Sequence, residues 1–301
     1  MQLSNNKTQL KVMKQIPLII VALLISQSVF AGGPWPQKKG GLYLKLSEWW
    51  TIFDEHFSDS GQIDPNQTIG IFNTTIYAEY GITDRLTAIV NAPILTRNTV
   101  NNIVSSTTQE IIFPGDAINT FGDTNVSIKY GITKPGAKIP VAATILFGLP
   151  FGTPIAGEQK NLQTGDGEFN QMIRIDAGTG FNITEGINGY VSAFGGFNNR
   201  TNGFSEEVRY GAEIGLGLIN SKLWINGRLN VVESLANEDS FQTNTSTSIF
   251  ANNSESTSLG VEANFYITPE FGVSAGFANP VRGEIIAAAS SYSLGIFLDL
   301  K

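Results

Sequence analysis

The sequence predicts an all-β protein: a closed antiparallel transmembrane β-barrel of about 12 strands in an up-and-down meander. Three observations predict this fold. The first residues have the pattern of a secretion signal, a short motif ends one segment after another, and the segments themselves alternate apolar with polar residues. No later apolar stretch has the length and composition of a membrane-crossing helix, and glycine is abundant, with 32 residues.

The N-terminus predicts the compartment. The residues before an apolar run at 16–25 include three lysines and no acidic residue. Small residues occupy the −1 and −3 positions of a signal-peptidase cleavage site after Ala31. The run contains Pro17 and is too short to cross roughly 30 Å of hydrocarbon, which argues against a membrane anchor. We therefore predict a cleaved signal peptide over residues 1–31 and an outer-membrane β-barrel over residues 32–301.

Composition excludes several classes of function. Without the predicted signal the chain has 16 basic and 26 acidic residues. Such an acidic chain is a poor partner for nucleic acid, whose phosphates are bound by clustered lysine and arginine. Cysteine is absent, which excludes thiol catalysis and cysteine-ligated metals. No sequence feature indicates a cofactor.

A short repeated unit organises the chain. Tyr-Gly-Ile-Thr occurs at residues 80–83 and 130–133, and related units occur at residues 181–184 and 265–268, with a degenerate copy at 218–222. The spacing of roughly 40 to 50 residues fits one long hairpin plus one loop. A new segment begins within a few residues of each unit, and such short turns join antiparallel neighbours.

The segments have one apolar and one polar face. In residues 259–267 one face carries Leu, Val, Ala, Phe and Ile, and the other carries Gly, Glu, Asn and Tyr. The aromatic residue of the repeated unit, such as Tyr80, Tyr130 or Phe265, belongs to the apolar face. Aromatic residues at one end of successive strands are typical of the girdle at a membrane interface, and a soluble β-sandwich has no need of them.

Short and long connections alternate, as in outer-membrane barrels, where the short turns are periplasmic. The predicted strands begin near residues 41, 68, 85, 122, 138, 168, 187, 207, 222, 256, 270 and 288. The predicted long loops cover about residues 53–67, 96–120, 150–166, 198–206, 234–252 and 279–286. An even number of strands places both termini on the periplasmic side.

Several stretches resemble the outer-membrane β-barrel family of the MetA-pathway of phenol degradation type. They are residues 80–86 continuing to 92–94, residues 122–131, the Leu-Pro pair at 149–150, and residues 164–169. The resemblance implies a channel or transporter in the cell outer membrane for small hydrophobic or aromatic molecules. It also implies outer-membrane lipids and the barrel assembly machinery as partners, although residues 298–301 lack the usual final aromatic residue.

The alternation assigns eight charged residues to the polar, inward face, four of each sign. They are the candidate lumen-lining residues Glu79, Lys129, Arg174, Asp176, Arg209, Glu213, Arg228 and Glu262. One interpretation is a charged pore wall that orients or filters solutes. The other is a set of internal ion pairs that fills a barrel of intermediate size. The balance of signs argues against strong ion selectivity.

Three other patterns suggest chemistry. His56 and Ser58 have the spacing of an outer-membrane phospholipase pair, but they lie in an acidic stretch that we predict to be a solvated loop. Asp54, Glu55 and Asp59 add carboxylates near His56, without the ligand spacing of a known calcium or zinc loop. Residues 164–167 resemble a phosphate-binding loop but lack its Gly-Lys-Ser/Thr ending, so we predict a loop-to-strand turn there.

These observations predict a barrel without catalytic residues that lets small solutes pass passively. One alternative is a non-conducting structural or surface-binding barrel, which side chains filling the interior would favour. The other is an outer-membrane lipolytic enzyme, which would require His56 and Ser58 to lie on a strand at the bilayer rim.

Overall fold

The computed structural model describes residues 32–238 and 249–301, and these contain strands as their only regular secondary structure. In chain order the strands are β1 (Leu42–Phe57), β2 (Ile63–Thr83), β3 (Leu86–Val100), β4 (Ile103–Val104), β5 (Ile111–Phe113), β6 (Asp116–Thr120), β7 (Thr124–Gly131), β8 (Val141–Leu149), β9 (Asn170–Thr184), β10 (Ile187–Asn199), β11 (Glu207–Leu218), β12 (Leu223–Ser234), β13 (Glu255–Tyr266), β14 (Phe271–Glu284), β15 (Ile286–Ala287) and β16 (Ser291–Leu300).

Twelve of these strands form a closed antiparallel barrel in the described part of the chain. They follow one another in the order β1, β2, β3, β7 to β14 and β16, and β16 pairs back onto β1. The three short strands β4 to β6 and the short β15 lie in the long connections. The predicted fold is therefore confirmed. No helix within the described ranges is long and apolar enough to cross a membrane.

The register identifies the inner face. Lys45 on β1 forms an ion pair of 2.9 Å with Glu262 on β13, although β1 pairs only with β2, β15 and β16. Such a contact has to cross the interior, so the face that carries Lys45 points inward. Closure also gives each of the twelve barrel strands two neighbours, which leaves no edge of the barrel sheet facing lipid.

The outer face is apolar. Its exposed side chains include Leu46, Val90, Ile128, Ile145, Ile173, Val191, Ile214, Val261, Val273 and Leu294. The aromatic residues of the repeated units, Tyr80, Tyr130, Phe181 and Phe265, are also exposed on this face, beside the short turns. An apolar surface of this kind is stable only in contact with lipid, and its aromatic residues suit a membrane interface.

The segment before β1 lies inside the barrel at the end with the short turns. The backbone N–H of Gln37 donates to Thr87 Oγ1 at 2.8 Å, and its Nε2 donates to Glu79 Oε2 at 3.2 Å. Trp35 packs edge-on against Tyr190, with ring centroids 5.4 Å apart. These partners belong to the inner faces of β2, β3 and β10, so the segment extends across the interior.

Three predicted loops were wrong in extent, and one of them is 279–286, where β14 continues to Glu284 and β16 begins only at Ser291. The first long loop covers only residues 58–62, because β1 continues to Phe57 and β2 begins at Ile63. The register of β1 and β2 shifts between Phe53 and Glu55, and such a bulge interrupts the two-residue period from which the strand end was predicted. In the predicted loop 96–120, β3 continues to Val100 and pairs with β6.

The connection between β8 and β9, residues 150–169, enters the interior. Leu162 is fully buried in an apolar cluster with Phe53, Ile69, Ile71, Val100 and Ala287. Asn98, on the inner face of β3, donates from Nδ2 to the carbonyl oxygen of Gln163 at 2.8 Å. The lengths of the predicted loops at 96–120 and 234–252 also permit inward folding, and one residue of each, Ile118 and Ile249, packs against the same apolar cluster. The predicted signal peptide and residues 239–248 of the latter loop lie outside the described residues.

Candidate functional site: the charged barrel interior

A chain of charged side chains runs around one half of the interior. Glu213 on β11 accepts hydrogen bonds from Arg228 Nε on β12 and from the hydroxyl of Tyr190 on β10. Arg228 Nη1 lies 3.5 Å from Glu262 on β13, which in turn pairs with Lys45. The four ionic groups therefore alternate in sign, so each carboxylate lies beside a cation.

A second group lies under the N-terminal segment. Glu79 is fully buried and accepts hydrogen bonds from Gln37 and from the hydroxyl of Tyr77. Lys129 Nζ is 3.9 Å from Glu79 and is also buried. A buried charge of this kind is costly unless it is paired and hydrogen-bonded, and both conditions are met here.

A third pair lies on β9. Arg174 donates from Nε and Nη2 to the carboxylate of Asp176, at 3.0 and 2.6 Å. Its guanidinium also lies over the ring of Phe194 on β10, with 3.7 Å from Cζ to the ring centroid. Stacking on one face and a carboxylate on one edge fix the plane of the guanidinium.

Arg200, at the end of β10, holds the inward loop. It contacts three carboxylates: Glu168 through Nε, Glu207 through Nη1 at 2.8 Å, and Asp166 through Nη2 at 3.4 Å. Glu207 also accepts from Arg209, at 2.8 Å from Nε. Because Asp166 and Glu168 belong to the β8–β9 loop, this cluster fastens the loop to the barrel wall.

Burial changes the acidity of two loop carboxyl groups in this region. Desolvation raises the pKa of Glu168 to about 7, even though Arg200 opposes the shift. Desolvation and the negative charge of Asp166 raise the pKa of Asp123 to about 6. Asp123 accepts the backbone N–H groups of Gly152 at 2.8 Å and of Asp166 at 2.9 Å.

All eight predicted lumen-lining residues lie on the inner face. Glu79 pairs with Lys129, and Arg174 pairs with Asp176. Arg228 pairs with both Glu213 and Glu262. Arg209 pairs with Glu207, which the sequence analysis did not select. Sequence reasoning missed Lys45, Glu207 and Arg200. The alternation of Leu42, Leu44 and Leu46 with polar residues indicated Lys45, whereas nothing local indicated Arg200. Whether these side chains line a conducting pore stays a prediction.

The remaining predicted sites receive no geometric support. His56 lies at the end of β1, not in a loop, and its Nδ1 has no hydrogen-bond partner in the described chain. Ser58 Oγ bonds Ser60 Oγ and the backbone N–H of Gln62, so no His–Ser hydrogen bond activates it. Within the described ranges no three acidic or histidine side chains are grouped as metal ligands. At residues 164–167 the backbone N–H of Asp166 binds the Asp123 carboxylate instead of a phosphate.

Comparison with solved structures supports the fold. The COG4313 outer membrane channel from Pseudomonas putida F1 matches with a TM-score of 0.55 and 14% identity, over 91% of this chain and 100% of that chain. The NanC porin and the KdgM porin each match with a TM-score of 0.45, at 11% and 7% identity, over 86% of this chain and 99% of theirs. No family model matches the sequence, and no curated protein matches it.

The chain therefore has the fold of an outer-membrane β-barrel, which it shares with the Pseudomonas channel. At 14% identity the likeness to the Pseudomonas channel concerns the fold alone. The finer resemblance to the phenol-degradation type of barrel remains a prediction from the sequence.

Proposed function

We propose that the protein is a passive, energy-independent channel of the outer membrane for small solutes, with both termini on the periplasmic side. The observation that supports this most is the exposure of inward-pointing charge. The side chains of Arg174 and Arg228 keep about a third of their surface in contact with solvent, at 32% and 36%, although both lie on the inner face of a closed barrel. The middle of the interior therefore has room for water or a solute beside both guanidinium groups.

A water-filled interior walled by fixed charges passes small polar solutes by diffusion and hinders large ones. The resemblance found in the sequence adds hydrophobic or aromatic molecules to the solutes expected.

Swelling of liposomes that contain the refolded protein tests this function. Vesicles loaded with dextran are transferred to isosmotic solutions of neutral solutes of increasing size, and heat-modifiable gel mobility verifies that the barrel is folded. We expect swelling with the smallest solutes and a decline as size increases. Equal swelling of protein-free vesicles and vesicles with folded protein would contradict passive passage of these solutes.

One observation favours the alternative of a non-conducting barrel. The segment from Trp35 to Gln37 contacts the inner faces of β2, β3 and β10, and it covers the buried Glu79. A variant of the mature chain that begins after residue 38 separates the two functions. If only the shortened variant passes solutes, the intact protein is a closed barrel. If both pass them, the segment narrows the interior without sealing it.

A further inference from the structure

The inner wall presents its two signs of charge unequally. In the Arg174–Asp176 pair the arginine side chain is 32% exposed and the aspartate 3%, and in the Arg209–Glu207 pair the values are 39% and 3%. Arg228 follows the same pattern, because Glu213 and Glu262 are both less exposed than it is. The charges balance in number, but the surface that a solute meets inside the barrel is mainly guanidinium.

Two of these arginines lie on either side of a glycine. Arg174 on β9 pairs in register with Gly196 on β10, and Gly196 pairs with Arg209 on β11. Because neighbouring strands lie about 4.8 Å apart, the two arginine backbones are separated by roughly 10 Å. The terminal methyl of Met172 fills the space over Gly196, and the two side chains diverge from this level: Arg174 extends to Asp176 and Phe194, whereas Arg209 extends to Glu207.

Both arginines keep hydrogen-bond donors for a ligand. Each uses Nε and Nη2 for its own carboxylate, Asp176 or Glu207. The Nη1 groups donate to no partner in the part of the chain that is described. A carboxylate takes two parallel N–H donors readily, and charge-assisted bonds of this kind are stronger in a confined interior than in bulk water.

We propose that Arg174 and Arg209, each through its own guanidinium group, bind the carboxylate groups of small organic anions on the inner wall, and that the channel passes anions in preference to cations. This inference rests on the proposed function and names the substrate class of that channel. The sequence led us to expect no strong ion selectivity, because the charged residues balance in number. The inference differs because the exposure of the charged side chains decides which charges a solute meets.

Reversal potentials test the selectivity. The refolded mature protein is inserted in a planar bilayer with a gradient of KCl, and the ratio of chloride to potassium permeability is determined. The test variant combines Arg174→Gln with Asp176→Asn, which keeps the net charge. The matched control combines Arg282→Gln with Glu255→Gln, an ion pair of 3.9 Å on the outer side of the barrel whose arginine is 70% exposed.

The wild-type ratio is expected to exceed unity, to fall about twofold or more in the test variant, and to stay unchanged in the control. A wild-type ratio at or below unity would overturn the inference and leave the proposed function intact. An equal fall of the permeability ratio in the test and control variants would also overturn the inference, because charges on the outer side of the barrel would then account for the selectivity. No conductance from folded wild-type protein would overturn both.

Benzoate and benzamide probe the site itself, because they share a ring and differ in charge. Added to the same bilayer, benzoate is expected to reduce the chloride current with a saturable dependence on concentration, and benzamide is expected to have no such effect. The effect of benzoate should weaken in the Arg174→Gln, Asp176→Asn variant and persist in the control. Equal effects of benzoate and benzamide on the wild type would contradict a carboxylate site.

Discussion

At the scale of the residue, the interior depends on paired charges whose burial is uneven. A long arginine side chain can keep its stem along the wall and its guanidinium in water, whereas a short aspartate stays at the wall. This explains why Asp176 is buried and Arg174 is not. The same property makes an arginine the more accessible member of a pair that is neutral overall.

Arg200 is the residue whose loss we expect to cost most. Arg200→Leu leaves Glu168, Glu207 and Asp166 without their shared cation, and all four side chains are largely buried. Removal of one partner from a buried pair costs about 3–5 kcal/mol in the free energy of unfolding. Urea unfolding in lipid vesicles, followed by tryptophan fluorescence, measures the change.

The control for this prediction is Arg97→Leu. Arg97 is exposed and bonds only Asn119, at 2.9 Å, within the described chain. We expect a loss of at most about 1 kcal/mol there. Equal losses for the two variants would mean that the Arg200 cluster does not stabilise the barrel.

Gly81 is needed for the N-terminal segment to reach its place. A Cβ at Gly81 would lie 1.8 Å from the carbonyl oxygen of Lys38, so Gly81→Ala should displace the segment from the wall. A clash of this kind typically costs about 1–3 kcal/mol. Trypsin cleavage after Lys38 and Lys39 in the folded protein should become about tenfold faster or more.

Gly195→Ala is the matched control for Gly81→Ala, because no atom lies within 4 Å of a Cβ at that position. Its cleavage rate should equal that of the wild type. If the two variants are cleaved at the same rate, the segment is not held by its contact with Gly81.

At the scale of the element, the β8–β9 loop should respond to pH. In the packed loop the pKa of Glu168 is about 7 and that of Asp123 about 6, above their ordinary values of 4.5 and 3.8. The two carboxyl groups therefore bind protons more tightly in the packed loop than in the open loop. The packed loop is most stable at a pH below the ordinary pKa values of these groups, and it loses stability as pH rises through 6 and 7.

A spin label at Gln159→Cys, an exposed position in a chain without cysteine, reports on this loop. Its mobility should increase as pH rises from about 5 to about 8. Adding Asp123→Asn and Glu168→Gln removes both titrating groups and should leave the mobility independent of pH. A wild-type label whose mobility falls or stays constant over this range would contradict the prediction.

The strands could be predicted from the sequence because their signals are local. A two-residue period and a turn motif suffice to assign strands and faces, and the strands at 187–199 and 207–218 begin at the predicted residues. Contacts that depend on closure could not be predicted. Lys45 and Glu262 are 217 residues apart, and their pairing requires both the register and the diameter of the barrel. The inward course of the β8–β9 loop depends likewise on a cavity that exists only after closure.

At the scale of the whole molecule, closure produces both surfaces that the function needs. It turns the apolar faces of all twelve described barrel strands toward lipid, and it encloses the charged faces around one interior. The N-terminal segment and the β8–β9 loop enter that interior from opposite ends, since one contacts residues near the short turns and the other contacts residues near the long loops. Any path for a solute must therefore pass both of them and the arginines between.

The central claim is that this path is open. Single-channel recording in planar bilayers tests it most directly, with the refolded wild type, Arg174→Trp and Arg228→Trp, and with heat-modifiable gel mobility as the control for folding. Open passage predicts discrete conductance steps for the wild type and smaller steps for both variants, because each adds a larger ring to the inner wall. Silence from a correctly folded wild type, or steps of undiminished size in both variants, would contradict a pore bounded by these residues.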